Sequence, residues 1–247
     1  MTPRDIVERI GPHSTSADVA PLLDHRETDE AQVLALLRKR ELSSGVIEAV
    51  ARHDRWNKRR VVRAAIVNHV KTPKTLALRL LSLLFWKEQL KVATNIRLPM
   101  TVRVASESRL KERLPELESG EKITMAHSAP TGVLSKLALE NDDKIIRALL
   151  RNPRLREQEV IAIVRRESTS GLVLRVVALS ERWVHRPSVR GALVSHPNTP
   201  IHVALSLLHQ VPERELRTLL RESELPRVVA LSAEQILSGD GPSLRSR

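Results

Sequence analysis

The chain contains a displaced copy of itself, and this constrains its fold more than any other feature. ARHDRWNKRRVVRAAIVNHVKTPKTLALRLLSLL, residues Ala51–Leu84, aligns without a gap on ALSERWVHRPSVRGALVSHPNTPIHVALSLLHQV, residues Ala178–Val211, with fifteen identities in thirty-four positions. The displacement is 127 residues. Self-similarity of this kind marks a repeat protein, in which each unit buries its apolar face against its neighbours. A repeat dictates how a surface is built and leaves open what docks on it.

Shorter offsets point to the period. Lys144–Val164 overlies Ser188–Leu208 at an offset of 44, pairing Ala148 with Ala192, Leu149 with Leu193 and Pro153 with Pro197. Ala31–Ala51 overlies Lys144–Val164 at an offset of 113, matching Leu36, Leu37 and Arg38 to Leu149, Leu150 and Arg151. These offsets predict units of about 40 residues, the size of helical-pair or helical-triple repeats. Residues 87–141 are the least regular and read as a degenerate middle.

Within a unit the pattern is a short helix, a tight break and a longer helix. Val62, Ala65 and Ile66 share one helical face, His69 to Thr72 form the break, and Pro73 stands where a first helical turn accepts proline. Thr72 is then the expected N-cap. The Thr-Pro pair returns as Thr199-Pro200, with further breaks at Leu98-Pro99, Ala129-Pro130 and Leu225-Pro226. Leu76, Ala77, Leu80, Leu81 and Leu84 have the spacing of a buried helical stripe, and no stretch keeps the alternation of a half-buried strand. The expected fold is all-α, about a dozen helices and no sheet, in one elongated domain. Residues 1–30, broken by Pro12 and Ser14 to Ser16, read as an N-terminal cap, 31–237 as a single continuous stack, and 238–247 as a disordered tail. With one Phe, three Trp and no Tyr among 247 residues, aliphatic side chains must fill the core.

Charge is the one compositional pointer to a partner. Lys and Arg outnumber Asp and Glu by 41 to 29, a net +12, and the pI near 10.9 lies in the range of nucleic-acid-binding surfaces. Thirty-one of the cations are Arg, spread along the chain, so a solvated arginine-rich surface is the plainer reading. The densest segment, Arg52 to Arg63, includes Arg55, Arg59, Arg60 and Arg63, and its second copy keeps Arg182, Arg186 and Arg190. Arginines four apart share a helical face and can hold phosphates or carboxylates, so these seven are the candidate basic binding face. Trp56 and Trp183 recur beside them. A repeated Trp at a unit boundary plugs the junction, with a flanking Arg stacked on it or capping carbonyls at a helix end; both readings stay open.

Catalytic and metal motifs are missing. There is no Cys, no nucleophile elbow, no phosphate-binding glycine loop and no His pair at zinc-hydrolase spacing. His69 and His196 recur in breaks, where a helix C-terminus favours a partly protonated imidazole. No cofactor, no metal and no enzymatic activity are expected. No apolar run reaches membrane-spanning length and no secretory signal opens the chain, so a cytoplasmic protein without membrane contact is expected, taken as a monomer.

The segment VRGALVSHPNTPIHVALSLL, Val189–Leu208, resembles bacterial HEAT-like repeats, especially the leucine-rich repeat variant (LRV) type with its Asn-Pro-x-Thr-Pro turn. The resemblance covers about two thirds of the chain. It implies a right-handed α-solenoid used for binding; the iron-sulfur cluster that the variant family carries has no Cys to hold it here. The leading expectation is a non-catalytic scaffold or adaptor binding an acidic protein or other macromolecule. The alternative is binding of duplex DNA or structured RNA through a basic face. HEAT-like DNA glycosylases supply a third possibility, which needs an acid near an exposed Trp56, Trp86 or Trp183.

Overall fold

The computed structural model describes residues 2–222 and 225–238. It is all-helical, with no strand among the described residues. Residue contacts cluster into two compact units, Met1–Glu116 and Leu117–Arg247, where the sequence reading places one stack over 31–237. The tail expected at 238–247 lies outside the described residues except for Ser238. No described helix is long and apolar enough to cross a membrane.

The first unit holds α1 (Pro3–Arg9), α2 (Ser16–Asp24), α3 (Glu30–Leu37), α4 (Ser44–Arg52), α5 (Asp54–Asn57), α6 (Arg60–Val67), α7 (Lys74–Leu81), α8 (Trp86–Thr94) and α9 (Met100–Arg113), then a 3-10 turn, Leu114–Glu116. The second opens on α10 (Ser119–Ala126) and continues through α11 (Thr131–Leu137), α12 (Asp143–Leu150), α13 (Glu157–Arg165), α14 (Gly171–Ala178), α15 (Glu181–Val184), α16 (Pro187–Ser195), α17 (Ile201–Leu208), α18 (Glu213–Glu222) and α19 (Arg227–Ser238). Among the described residues, nineteen helices replace the expected dozen. Most are only two to three turns long; Trp56 and Trp183 each sit in a separate four-residue helix, α5 and α15, while Trp86 opens α8.

Helix positions follow the 127-residue offset far beyond the segment in which it is visible as identity. Arg60 opens α6 and Pro187 opens α16; Trp86 opens α8 and Glu213 opens α18; Met100 opens α9 and Arg227 opens α19. The 1–30 segment participates too, since α2 and α12 open at Ser16 and Asp143. What persists is burial. Val19/Ile146, Leu36/Ile163, Ile47/Leu174, Ile66/Leu193 and Leu84/Val211 are buried in both copies, though none is identical.

Turns are tied to turns. Thr28, Thr72, Thr169 and Thr199 are buried, and each hydroxyl donates to the carbonyl six residues earlier, at Leu22, Ile66, Ile163 and Leu193. This corrects Thr72 as an N-cap. Pro73 occupies that position at φ −56° and ψ 137°, and its fixed extended geometry points the preceding hydroxyl back at a carbonyl left free by the ended helix. Between turns, Lys39 donates to the carbonyls of Val7 and Ile10, Arg113 to Leu84, and Arg166 to Ala138 and Glu140. These ties join residues 26 to 32 apart, so one helix pair with its turns is shorter than the expected 40 residues. The offset of 44 carries α12 onto α16, past α13, α14 and the short α15.

Candidate binding grooves

The repeated Arg-Trp pair is built into the framework of each unit. Trp56 is 1% exposed and its indole N–H donates to the Leu23 carbonyl at 2.9 Å. Arg55 stacks 4.4 Å from the Trp56 ring and donates to the carbonyls of Thr28 (2.7 Å) and His25 (3.3 Å). In the second unit Trp183 donates to Leu150 at 3.0 Å, while Arg182 stacks at 4.5 Å and donates to Asn152 (2.9 Å) and Leu155 (3.3 Å). Helix ends leave carbonyls without partners, and the guanidinium caps them while the indole fills the space beneath. Trp86 is buried as well, so none of the three tryptophans offers an exposed face to a nucleobase.

The remaining candidate arginines divide. Arg60 stacks 4.6 Å from the Phe85 ring and its Nε pairs with Glu88, tying α6 to α8. Arg63 and Arg190 are half-buried, each with a buried Nε that meets no acceptor. Arg59 and Arg186 are exposed, and their side chains make no hydrogen bond or ion pair among the described residues. Four of the seven belong to the first unit and three to the second.

The recurring histidines are also part of the framework. His69 Nε2 lies 2.9 Å from the Lys39 carbonyl while Nδ1 accepts the Lys71 N–H at 3.1 Å; His196 does the same with Arg166 and Asn198. This pattern assigns the Nε2–H tautomer to both. A neutral ring that bridges two backbone segments explains the position better than a cation at a helix end. His127 is exposed.

What the sequence reading did not find is a groove present once in each unit. In the first, about 860 Å3 is enclosed by α3, α6, α8 and the turns that follow them. Leu34, Leu37, Ala64 and Ala65 line it with apolar surface, joined by Val61 and Val70, which are 44% and 40% exposed. Arg38, Arg40, Lys91 and Arg97 also line it; all four are exposed and have no side-chain partner among the described residues. Its single carboxylate, Glu88, is buried and engaged on both oxygens, one by Arg60 and the other by the Phe85 N–H at 2.7 Å. Four cations therefore face an apolar groove with no free counter-charge.

The second groove, about 520 Å3, is lined by the positions that the offset predicts. Arg165 stands for Arg38, Ala192 for Ala65, His196 for His69 and Glu215 for Glu88. Its chemistry differs. Glu167 replaces Arg40, Thr218 replaces Lys91, and Ser188 and Pro197 replace Val61 and Val70. Pro187 and Pro212 stand where the first unit has Arg60 and Phe85, and Glu215 has no ion-pair partner among the described residues. Glu224, the counterpart of Arg97, lies outside the described residues.

The chain matches no family model, no curated protein and no solved structure.

Proposed function

We propose that the protein is a non-catalytic scaffold or adaptor of the cytoplasm, each unit a stack of right-handed HEAT-like, LRV-type helical repeats, and that it binds an acidic macromolecular partner. One observation carries this reading: the four unpartnered cations at the first groove, whose only acid is already neutralised. Charges placed this way draw an oppositely charged partner by steering and reject like-charged ones. Much of the remaining basic excess has intramolecular work, since Lys39, Arg55, Arg113, Arg154, Arg166 and Arg182 all donate to backbone carbonyls. That leaves less of it for a phosphate backbone than the net charge implies.

The test is fluorescence anisotropy of the full chain with labelled polyglutamate and with labelled duplex DNA across a salt series. The expected result is binding of polyglutamate that weakens with salt and exceeds that of DNA at matched ionic strength. Tighter binding of DNA, linear in log salt and reduced by Arg59→Ala with Arg186→Ala, replaces this reading with nucleic-acid binding.

A further inference from the structure

We propose that the first groove is the docking site for an acidic peptide segment with aliphatic side chains interleaved among its carboxylates, an inference that rests on the acidic-partner reading above. Three features of the groove select this ligand. First, the cations come from separate elements, Arg38 and Arg40 from the turn after α3, Lys91 from α8 and Arg97 from the turn after it, so carboxylates spread along a segment meet partners at several points. Second, the lining between them is aliphatic, and Val61 and Val70 expose apolar surface that a charged polymer alone leaves wet. A phosphodiester backbone has no aliphatic groups for that surface, and the one aromatic ring in the groove lining, His69, is buried with both nitrogens engaged by backbone, so it gives a base little face to stack on. A peptide bearing Glu or Asp with Leu, Ile or Val satisfies both halves of the lining.

Third, the second unit shows which features the scaffold itself does not require. Its groove keeps the framework residues Ala192 and His196, yet it loses cations at two positions and the exposed valines at two others. Helices and turns of the same kind form without them. Arg40, Lys91, Val61 and Val70 are thus not required by the framework, and a peptide ligand gives them a role. The Arg60–Glu88 pair positions the site by fixing α6 against α8 and by removing the one carboxylate that repels an acidic ligand.

The experiment uses the full chain, a labelled Glu/Leu peptide, a labelled all-Glu peptide of equal length and a labelled Lys/Leu peptide. The variant combines Arg40→Glu, Lys91→Thr and Arg97→Glu, all exposed positions changed to the residues of the second unit, with circular dichroism as the check on folding. We expect the Glu/Leu peptide to bind more tightly than the all-Glu peptide, the Lys/Leu peptide to be excluded, and the variant to bind the Glu/Leu peptide at least about tenfold more weakly. Equal binding of the Glu/Leu peptide by folded variant and parent overturns the groove assignment while leaving an acidic partner in place. Equal affinity for both acidic peptides overturns the aliphatic half of the proposal. Failure of both acidic peptides to bind the parent chain removes the acidic-partner reading itself.

Discussion

The two grooves occupy the same positions in their units and differ in the residues that face an approaching ligand. The first presents Arg38, Arg40, Lys91 and Arg97 around valines and alanines, whereas the second has Arg165 and Glu167 in its lining with Glu215, which has no ion-pair partner among the described residues. Below that surface the copies agree: the Arg-Trp stack, the buried Thr that reaches back six residues, and the His that bridges two turns occur in both. Positions that close the backbone's hydrogen bonds have held their chemistry, and most groove positions that look outward have not. The difference separates framework from binding surface without reference to any other protein.

The largest expected effect tests the shared part. Trp56→Ala and Trp183→Ala each remove a buried indole and its hydrogen bond to a helix-end carbonyl, and each is expected to cost about 3–5 kcal/mol in denaturant unfolding. Similar losses in both units confirm that the junctions are equivalent; a loss in one alone breaks the comparison. Arg55→Ala and Arg182→Ala act at the same junctions with smaller losses, about 1–3 kcal/mol, through uncapped carbonyls.

Two glycines of the second unit sharpen the comparison with opposite signs. A Cβ at Gly171 would stand 2.9 Å from the Asn198 carbonyl oxygen, and backbone cannot swing aside, so Gly171→Ala is expected to destabilise by about 1–3 kcal/mol. At Gly191 the nearest atom is the Glu215 carboxylate at 3.4 Å, the end of an adaptable side chain, and the equivalent residue in the first unit is Ala64. Gly191→Ala is therefore expected to stabilise α16 by about 0.5–1 kcal/mol, through helix propensity. Thermal unfolding of the two variants decides both signs. A comparable effect on affinity is expected from the graft Glu167→Arg with Thr218→Lys, which gives the second groove the cations of the first and should raise its affinity for the Glu/Leu peptide about tenfold. An unchanged affinity would show that charge alone does not distinguish the grooves.

The sequence made the all-helical class legible because the leucine stripes and Thr-Pro breaks have helical spacing. Identity revealed the duplication only between residues 51 and 84 and their copy. Elsewhere burial tolerates exchange among aliphatic residues, as at Val19/Ile146, so the residue names diverge while the helices keep their places. Gln89 and Ser106 hide the relation further. They are buried polar residues where the second unit has Leu216 and Ala233; the Gln89 amide donates to the Leu81 carbonyl and the Ser106 hydroxyl to the Gln89 carbonyl. Charge spacing correctly raised two readings for Arg55 and Arg182, but it could not choose between a ligand and a carbonyl, because those carbonyls lie 27 to 30 residues away in sequence. The groove was illegible for the same reason: its cations come from the ends of two helices whose proximity only packing determines.

The smallest expected effect concerns acid. Asp5 sits in the first turn of α1 and Asp18 in that of α2, and both carboxylates are held below the usual Asp range. For Asp5 the main cause is a hydrogen bond with the Thr2 side chain, then the Thr2 N–H; for Asp18 it is the Thr15 N–H at 2.7 Å, then the Thr15 hydroxyl at 2.9 Å. A carboxyl whose pKa is lower folded than unfolded contributes stability above the unfolded value, 3.8 for both, and loses it as pH falls through the folded one. The same positions in the second unit are Gly132 and Ile145, which carry no charge to lose. Hydrogen exchange followed from pH 5 downward, corrected for the intrinsic rate, should therefore show α1 and α2 loosening below about pH 4 while α11, whose first turn holds no carboxylate, keeps its protection. Parallel loosening of all three would mean that the acid response is global and that these caps do not set it. Asp18→Asn should move the behaviour of α2 toward that of α11, since the amide retains an acceptor for the Thr15 N–H but cannot be protonated in this range.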